Sequence, residues 1–462
     1  MSKTYFAGVA EQWDTLRASM FGEGVRSAAL EQAALFPQAV AVDIGAGTGF
    51  IAQGLAPRVA QVHVVDYSPE MLAVARRNLA EYSNVEFHLA NGATLPLSDS
   101  SADAVLANMY LHHAPEPQAA IREMTRLLKP GGRLVITDLD QHTHTWLQGE
   151  QGDLWLGFRR QQVFEWFQNS GLVNVRVEDT QQRCSSQSED KGDSASIEIF
   201  IAVGTRPQPE MQTAVADRYR QAATGLSGCC SPGSTAADTP ASPDSISLDV
   251  IQPTESACCS TMPLVETDAE LSLGCGNPLA LAALQPGQVV LDLGSGAGAD
   301  VFPAARRVEP GGKVIGLDML EEMLARARAT AERAGYTNVD FRQGDAQHIP
   351  LEDACVDVVI SNCVLNLVQD KGQAFREAYR VLKPGGRLSI SDIVTDRPFN
   401  PALRADPKAW SVCVSGALPE VEYLALVAQA GFDDIQAVRS QDWPAEDGTR
   451  VYSLNLAARK PS

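Results

Sequence analysis

Short apolar runs alternate along this chain with longer amphipathic segments. The first part contains the runs VAVD, VHVVD, VEFHLAN and ADAVLAN, and the segment EMLAVARRNL carries apolar residues at helical spacing. Apolar runs of roughly four to eight residues between turn residues predict buried strands, and a period of about 3.6 predicts helices. Strands that alternate with helices form a parallel sheet covered by helices on both faces. The pattern therefore predicts a doubly wound α/β domain.

The same order of elements occurs a second time. The stretch RLLKPGGRLVITD at 126–138 returns as RVLKPGGRLSISD at 380–392, and NVEF at 84–87 returns as NVDF at 338–341, in both cases 254 positions later. Upstream, VDIGAGTGF is matched by LDLGSGAGA, and DYSPEML is matched by DMLEEML. A repeat of this length indicates duplication of a whole domain rather than a solenoid.

The segment between the two copies differs in composition from both of them. Residues 227–247 are rich in Ser, Pro, Gly and Ala and lack apolar periodicity, which predicts a flexible linker. We expect a first domain at 1–206, an N-terminal arm with the flexible linker at 207–270, and a second domain with a C-terminal α+β extension at 271–462.

Acidic residues outnumber basic residues by 57 to 37 in this 462-residue chain, so its net charge is −20. That charge repels phosphate backbones and anionic lipids, and we expect neither a nucleic-acid partner nor a membrane partner. No apolar stretch approaches the roughly 18 residues that a membrane helix needs, and the first residues do not resemble a secretory signal. We expect a cytoplasmic protein whose nine cysteines are reduced. Reduced cysteines favour metal, metalloid or redox chemistry over structural disulfides.

A nucleotide-like pocket is predicted in each copy. Glycines that permit close approach of a ligand follow the first strand of each copy, at Gly45, Gly47 and Gly49 and at Gly294, Gly296 and Gly298. The second strand ends in Asp66 or Asp318, where a carboxylate accepts hydrogen bonds from ribose hydroxyls. Asn91 or Asp345 follows the third strand, at a position suited to an adenine amino group.

The choice of cofactor is between NAD and S-adenosyl-L-methionine. NAD fingerprints prefer GxGxxG, whereas both copies have GxGxG, preceded by Asp43 or Asp292 at a position suited to a cationic aminoacyl group. Together with the LKPGGRL elements, this set resembles the class I S-adenosylmethionine-dependent methyltransferases. The resemblance implies S-adenosyl-L-methionine as cofactor, with Met319, Ala346 and Asn362 as further contacts in the second copy.

Three cysteines of the second copy are far apart in sequence but fall where ligands bind in such a sheet. Cys275 precedes the first strand, Cys363 ends the fourth strand, and Cys413 follows the fifth. These points can meet above the crevice at the carboxyl ends of the strands. No CxxC pair occurs, which argues against a closed zinc knuckle. The first copy has Met109 where the second has Cys363, and it lacks partners for the other two cysteines.

The stretches GCGNP, LDLGSGAG, SNCVLNL, LKPGGRLSISDIV and CVSGALPEVEY, in this order, resemble the arsenite methyltransferases over about 215–460. The resemblance implies that thiolates at Cys275, Cys363 and Cys413 hold trivalent arsenic, a soft ion that prefers soft sulfur ligands. It implies that Cys258 takes part in a redox cycle with Cys275, and that thioredoxin or glutathione restores the thiols. The expected reaction converts arsenite to methylated arsenicals and serves arsenic detoxification.

The expected methyl transfer requires positioning rather than proton transfer. The arsenic lone pair attacks the sulfonium methyl in line, and the reacting atoms need to lie about 3–3.5 Å apart. The nucleophile carries no proton, so no general base is required. This agrees with the lack of a Ser/His/Asp arrangement in the sequence.

The other five cysteines of the chain do not belong to the predicted arsenic site. We expect Cys355 to be a core residue on a strand, Cys184 to be a surface thiol, and Cys259 to be a spare thiol beside Cys258. The pair at 229–230 resembles a pair common in bacterial members of the family, where it is a candidate for capturing arsenite.

The function of the first copy stays open at this point. YFAGVAEQWD and ANMYLHHAPEP resemble quinone and small-molecule methyltransferases, and His112 and His113 are acid/base candidates there. One alternative function is therefore a carbon or oxygen methyltransferase whose active half is the N-terminal one. Another alternative is a thiol-based protein that binds or senses arsenic without turnover.

Overall fold

The computed structural model describes residues 2–92, 94–188, 192–224, 276–443 and 448–462. Contacts divide the chain into two units, Met1–Gln208 and Pro209–Ser462. Most of the predicted arm and linker lies outside the described residues. The described part of the arm is a helix at Pro209–Thr224, which belongs to the second unit.

The first unit contains a seven-stranded sheet with strand order β3-β2-β1-β4-β5-β7-β6. Its strands are β1 (Val40–Ile44), β2 (Gln61–Asp66), β3 (Val85–Leu89), β4 (Ala102–Asn108), β5 (Leu128–Leu139), β6 (Val173–Gln187) and β7 (Ser194–Thr205). Its helices are α1 (Ser2–Val9), α2 (Trp13–Met20), α3 (Glu23–Gln32), α4 (Phe50–Leu55), α5 (Pro69–Asn78), α6 (Pro117–Leu127), α7 (Trp146–Glu150) and α8 (Arg160–Asn169).

The second unit contains a sheet of the same order, β10-β9-β8-β11-β12-β14-β13. Its strands are β8 (Val289–Leu293), β9 (Lys313–Asp318), β10 (Val339–Gln343), β11 (Val356–Asn362), β12 (Leu382–Thr395), β13 (Asp433–Trp443) and β14 (Val451–Arg459). Its helices are α9 (Pro209–Thr224), α10 (Val301–Arg307), α11 (Glu321–Ala334), α12 (Lys371–Val381), α13 (Pro401–Arg404), α14 (Pro407–Ser411) and α15 (Glu420–Gln429). The identical strand order in the two units confirms the predicted pair of Rossmann-like α/β domains.

The central strands are buried on both faces, as the apolar runs predict. In β1, Ala41 packs into one core cluster while Val42 and Ile44 pack into the cluster on the other face. In β8, Val290 and Leu291 are divided between two clusters in the same way. Helices cover both faces, and the carboxyl ends of the parallel strands form one edge where loops gather.

Each sheet departs at one edge from the parallel arrangement of its first five strands, and in the second unit this edge lies in the predicted C-terminal α+β extension. The last strand, β7 or β14, inserts antiparallel beside the fifth strand, and β6 or β13 pairs antiparallel with it. The sheets are therefore mixed. A hairpin can be added at an edge without a further crossover helix, which explains why the alternation of strands and helices stops there.

Across the described residues, no helix combines the length and the apolar character needed to cross a lipid bilayer.

Candidate functional site

The glycine-rich turn of each unit is tied to the strand-end aspartate. The Gly296 amide donates to Asp318 Oδ2 at 2.9 Å, and the Leu320 amide donates to Asp318 Oδ1 at 2.9 Å. Asp66 accepts the equivalent bonds from Gly47 and Ser68, each at 2.8 Å. One carboxylate thus joins the turn after the first strand to the start of the following helix.

Gly294 shows why the first position of the turn requires glycine. Its φ is +70°, a left-handed conformation that a side chain disfavours. A Cβ at this position would also overlap the methyl groups of Val364. The contact with the Val364 side chain and the left-handed backbone conformation both exclude a larger residue at this position.

The second unit brings most of the predicted cofactor residues together around one pocket. The predicted residues that line it are Asp292, Gly294, Gly296, Asp318, Met319, Asp345, Ala346 and Asn362, and Cys363 lines it as well. Gly298 does not line the pocket; its φ is +95°, and a Cβ there would meet the ring of Phe302. Val215 and Tyr219 of α9 also line the pocket, which the sequence pattern did not indicate.

Buried carboxylates make this pocket suitable for a cationic ligand. Burial raises the pKa of Asp292 well above its usual range, and the carboxylates of Asp300 and Asp318 raise it further. Burial likewise raises the pKa of Asp318, against hydrogen bonds from backbone amides that lower it. A sulfonium or ammonium group would relieve the repulsion among these groups because opposite charge favours ionised carboxylates.

Two of the three predicted arsenic-binding cysteines contact each other, and one of them, Cys363, lines this pocket. Cys363 follows β11 and is 3% exposed, and Cys413 lies between α14 and α15 and is 4% exposed. The Cys413 thiol donates to the Cys363 carbonyl oxygen at 3.3 Å. The Tyr219 hydroxyl lies 3.7 Å from Cys413 Sγ. Residues 50 positions apart are thus joined beside the cofactor pocket.

The left-handed backbone conformations of these two cysteines are both matched in the first unit. Cys363 has a φ of +58°, and Met109, its match in the first unit, has a φ of +51°. The left-handed conformation at that position is therefore a property of the fold. Cys413 has a φ of +66° at the second residue after α14, and Gly152, the second residue after α7 in the first unit, has a φ of +74°. Such a conformation costs of order 1 kcal/mol or more in a non-glycine residue, so surrounding contacts must maintain it.

The remaining predicted cysteine positions lie outside the described residues. These are Cys229, Cys230, Cys258, Cys259 and Cys275. Gly276 is the first residue after this gap that the structure describes. Its amide donates to Asn362 Oδ1 at 3.1 Å, and its carbonyl accepts from Asn362 Nδ2 at 3.0 Å. The residue that follows Cys275 is therefore fixed to the residue that precedes Cys363.

A buried pair of opposite charge lies close enough to Cys413 to interact with it, and the sequence pattern did not indicate this pair. Lys371 is 1% exposed and donates to the Val368 carbonyl at 2.9 Å, and Asp392 accepts from the Tyr423 hydroxyl at 2.7 Å. Burial lowers the pKa of Lys371 and raises the pKa of Asp392, while each charge opposes the shift of the other. The sequence did contain one sign of a buried carboxylate here, because Asp392 matches Asp138 at the end of the duplicated LKPGGRL strand.

Two predictions about single cysteines are wrong. Cys184, expected at the surface, is 7% exposed because it alternates on β6 with the exposed Arg183 and Ser185 and so faces the core. Burial raises the pKa of its thiol to about 12. Cys355, expected in the core of a strand, is half-buried in the turn before β11, where its thiol donates to the Glu352 carbonyl at 2.9 Å.

The first unit contains a corresponding pocket with a different acceptor end. Asp43, Gly45, Gly47 and Asp66 line it, as do the predicted acid/base candidates His112 and His113. Burial raises the pKa of Asp43 to about 7. The other two predicted contacts, Gly49 and Asn91, do not line this pocket; the Asn91 side chain accepts from the Thr94 amide at 3.2 Å.

Tyr110 distinguishes the adenine end of the first pocket from that of the second. Its ring lies against Gly45, and its hydroxyl accepts a hydrogen bond from the Gly92 amide. A Cβ at Gly45 or at Gly92 would overlap this side chain. The second unit has the smaller Val364 at the matching position, and its pocket extends to Ala346. Tyr110 therefore fills space that is open in the second unit.

Replacing Tyr110 by valine is expected to raise the affinity of the first unit for S-adenosyl-L-methionine by at least about tenfold. The change removes the obstructing ring and frees the Gly92 amide, and one hydrogen bond of about 1.4 kcal/mol corresponds to that factor. Calorimetric titration of the full chain should show one tight equivalent in the wild type and a second equivalent in Tyr110→Val. Two equivalents of equal affinity in the wild type would contradict this role of Tyr110.

The sequence comparisons agree with the geometry of both units. A family model described as a methyltransferase domain matches residues 284–446, and a second model with the same description matches residues 42–136. The chain is 37% identical over 304 residues to an arsenite methyltransferase of Halobacterium salinarum, covering 60% of this chain and 74% of that relative. It is 43% identical over 220 residues to an arsenite methyltransferase of Aquipseudomonas alcaligenes, covering 44% of this chain and 63% of that relative.

A solved structure is also similar. The arsenic(III) S-adenosylmethionine methyltransferase CrArsM from Chlamydomonas reinhardtii is 35% identical, with a TM-score of 0.38. The similarity covers 44% of this chain and 73% of that chain.

Proposed function

This chain belongs to the arsenite methyltransferase family, and from that premise we propose that its second unit transfers methyl groups from S-adenosyl-L-methionine to trivalent arsenic. The observation that carries the proposal is the contact between Cys413 and Cys363 at the rim of the cofactor pocket. Soft thiolates are the ligands that a soft metalloid prefers. A buried thiol pair beside a methyl-donor pocket fits an acceptor held by sulfur.

The third sulfur in the proposal is that of Cys275. Its support is the placement of Gly276, which exchanges two hydrogen bonds with Asn362, the residue before Cys363. Asn362 also donates to Asp300 at 3.0 Å, so its side chain is held from two sides. Three thiolates would bind arsenic as a pyramid and leave its lone pair directed away from the sulfur atoms.

The proposed transfer is a single displacement. The arsenic lone pair forms the new As–C bond while the bond between the methyl carbon and the sulfonium sulfur breaks, so S-adenosylhomocysteine leaves as a neutral thioether. Arsenic is formally oxidised by two electrons, from As(III) to As(V). The chain contributes chiefly by holding the reacting atoms at about 3–3.5 Å and in line.

The proposed cycle closes by reduction of the methylated arsenic. Cys258 and Cys275 would supply the two electrons and become a disulfide, and thioredoxin or glutathione would restore the two thiols by exchange. This step requires reduced thiols at rest, which fits a cytoplasmic protein. The products would be methylated arsenicals, and the biological role would be arsenic detoxification.

A thiol-based arsenic-binding or sensing protein is the second candidate. The carboxylates around Asp292 favour the enzyme, because a binding protein does not need a pocket suited to a cationic methyl donor beside its cysteines. The two candidates differ in a single observable, which is turnover of the methyl donor.

The test is an assay of the purified full chain with arsenite, methyl-labelled S-adenosyl-L-methionine and a thiol reductant. We expect the label in mono- and dimethylated arsenic after chromatographic separation of arsenic species. Tight arsenite binding without labelled product would instead favour the sensing protein.

A further inference from the structure

The first unit contains a cluster of metal-binding groups that the proposed arsenic chemistry does not use. His112 and His113 lie in the short turn after β4, and Asp153 follows α7. Their ligand atoms all lie within 4.8 Å of one another. The three side chains are 6%, 12% and 3% exposed, so the cluster is buried.

The spacing is too long for hydrogen bonds among the three side chains themselves, and His113 Nδ1 lies 3.3 Å from the Gly152 carbonyl oxygen. Asp153 Oδ1 lies 3.9 Å from His112 Nε2 and 4.0 Å from His113 Nδ1. Ligands around a zinc ion with bonds of about 2.0–2.2 Å would lie roughly 3.3–3.5 Å apart. A contraction of about 0.5 Å would therefore bring Asp153 and each imidazole to ligand spacing, with His113 Nδ1 exchanging the Gly152 carbonyl for the ion. A buried carboxylate that faces two imidazoles at this distance has the geometry of an open metal site.

Asp138 orients the first imidazole as an outer carboxylate does in metal sites. His112 Nδ1 donates to Asp138 Oδ1 at 2.7 Å, and the Leu111 amide donates to Asp138 Oδ2 at 2.7 Å. Because Nδ1 carries the proton, Nε2 is unprotonated and available to bind a metal, and it is the nitrogen that faces Asp153. Carboxylates that hold a ligating histidine in this way fix its tautomer and ring orientation.

Comparison of the two units indicates that the cluster is more than a requirement of the fold. The second unit keeps the outer carboxylate as Asp392, but it has Asn366 and Leu367 at the positions of the two histidines. There the carboxylate accepts from Tyr423 instead. The same fold is thus built without the imidazole pair, which appears only in the unit that lacks the arsenic-binding cysteines.

We propose that the first unit binds one divalent transition-metal ion, of the type of Zn²⁺, through His112, His113 and Asp153. Two nitrogens and one oxygen favour such an ion over Ca²⁺ or Mg²⁺, which prefer oxygen ligands. Three protein ligands leave one coordination position open, as in catalytic rather than structural zinc sites. The ligands line the same pocket as Gly45 and Asp66, so the open position would accept an oxygen or sulfur donor of a small molecule in that pocket.

A second imidazole group in the same unit provides a matched control. His63, Glu86 and His88 also lie within reach of one ion, on β2 and β3. There the two imidazoles hydrogen-bond each other at 3.0 Å, and the Glu86 side chain is 58% exposed. This surface group has neither the outer carboxylate nor the enclosure of the buried cluster.

The test is titration of the metal-free full chain with Co²⁺, followed by optical absorption and by competition with Zn²⁺. We expect one equivalent with d–d bands and without thiolate-to-cobalt charge transfer. His112→Asn, which introduces the residue of the second unit, and Asp153→Asn should each lower the affinity more than about 100-fold. Asp138→Asn should lower it about 10–100-fold. The double variant His63→Asn/His88→Asn should keep the wild-type affinity.

Several results would overturn the site. One is a wild-type chain that takes up no Co²⁺. Another is a d–d spectrum that persists in His112→Asn and Asp153→Asn. A third is loss of that spectrum in the His63→Asn/His88→Asn variant. Thermal unfolding of each variant identifies any that fails to fold. The proposed ligands are residues of the first unit, so arsenic methylation by His112→Asn should equal that of the wild type. A failure of the metal site therefore leaves the arsenic proposal untouched.

Discussion

Serine at position 363 or at position 413 is expected to lower arsenic methylation by at least about two orders of magnitude. The hydroxyl fits the space of the thiol, but it is a hard ligand that binds trivalent arsenic poorly. Loss of one of the three proposed sulfur ligands would also displace the arsenic from the line of attack, and a misplacement of about 1 Å can cost about 10²-fold. Initial rates of methylated arsenic formation, measured at saturating cofactor, provide the test.

The duplicated chain offers two matched controls for this prediction. Cys184→Ser changes a buried thiol in the other unit, and Cys355→Ser changes a half-buried thiol of the same unit that bonds the Glu352 carbonyl. Both should methylate arsenite at rates within a few-fold of the wild type. Full activity in both Cys363→Ser and Cys413→Ser would show that methylation needs neither thiol and would contradict the prediction.

Alanine at Asp318 is expected to abolish cofactor binding by the second unit and with it arsenic methylation. The carboxylate holds the Gly296 and Leu320 amides at 2.9 Å, and we expect it to accept hydrogen bonds from the ribose hydroxyls of the cofactor. Its removal eliminates two charge-assisted hydrogen bonds and the expected cofactor contact, each worth about 1.5–3 kcal/mol. Together these losses correspond to a drop in methylation of more than about 100-fold at subsaturating cofactor.

Asp66→Ala is the matched control, because Asp66 makes the equivalent bonds to Gly47 and Ser68 in the first unit. We expect it to leave arsenic methylation within a few-fold of the wild type, since the thiols proposed to bind arsenic belong to the second unit. Calorimetry with S-adenosyl-L-methionine measures binding separately from turnover. If Asp66→Ala lost methylation while Asp318→Ala retained it, the first unit would be the catalytic one, which would contradict the account.

Local sequence patterns were sufficient for the parts of the fold that depend on neighbours in the chain. The turn at Gly294 was predictable because backbone conformation and ligand approach both require glycine at that point. The strand-end position of Asp318 followed from the apolar run that precedes it. The duplication then allowed each assignment in one unit to be checked against the other.

Contacts between distant segments were not accessible from such patterns. The bond from Cys413 to the Cys363 carbonyl joins two left-handed residues that lie 50 positions apart in the chain. The pairing of Lys371 with Asp392 arises only when α12 packs on β12, and the helical pattern gives no sign of a buried amine. Cys184 was misassigned because polar neighbours on an alternating strand suggested a surface position, although alternation itself places every second residue inside.

X-ray absorption at the arsenic edge, recorded on the full chain with one equivalent of arsenite, tests the central claim most directly. The account predicts that the nearest neighbours of arsenic in the wild type are sulfur atoms only. In the double variant Cys363→Ser/Cys413→Ser, oxygen neighbours should replace sulfur and the affinity for arsenite should fall. An unchanged sulfur environment in that variant would place arsenic on other cysteines and contradict the account.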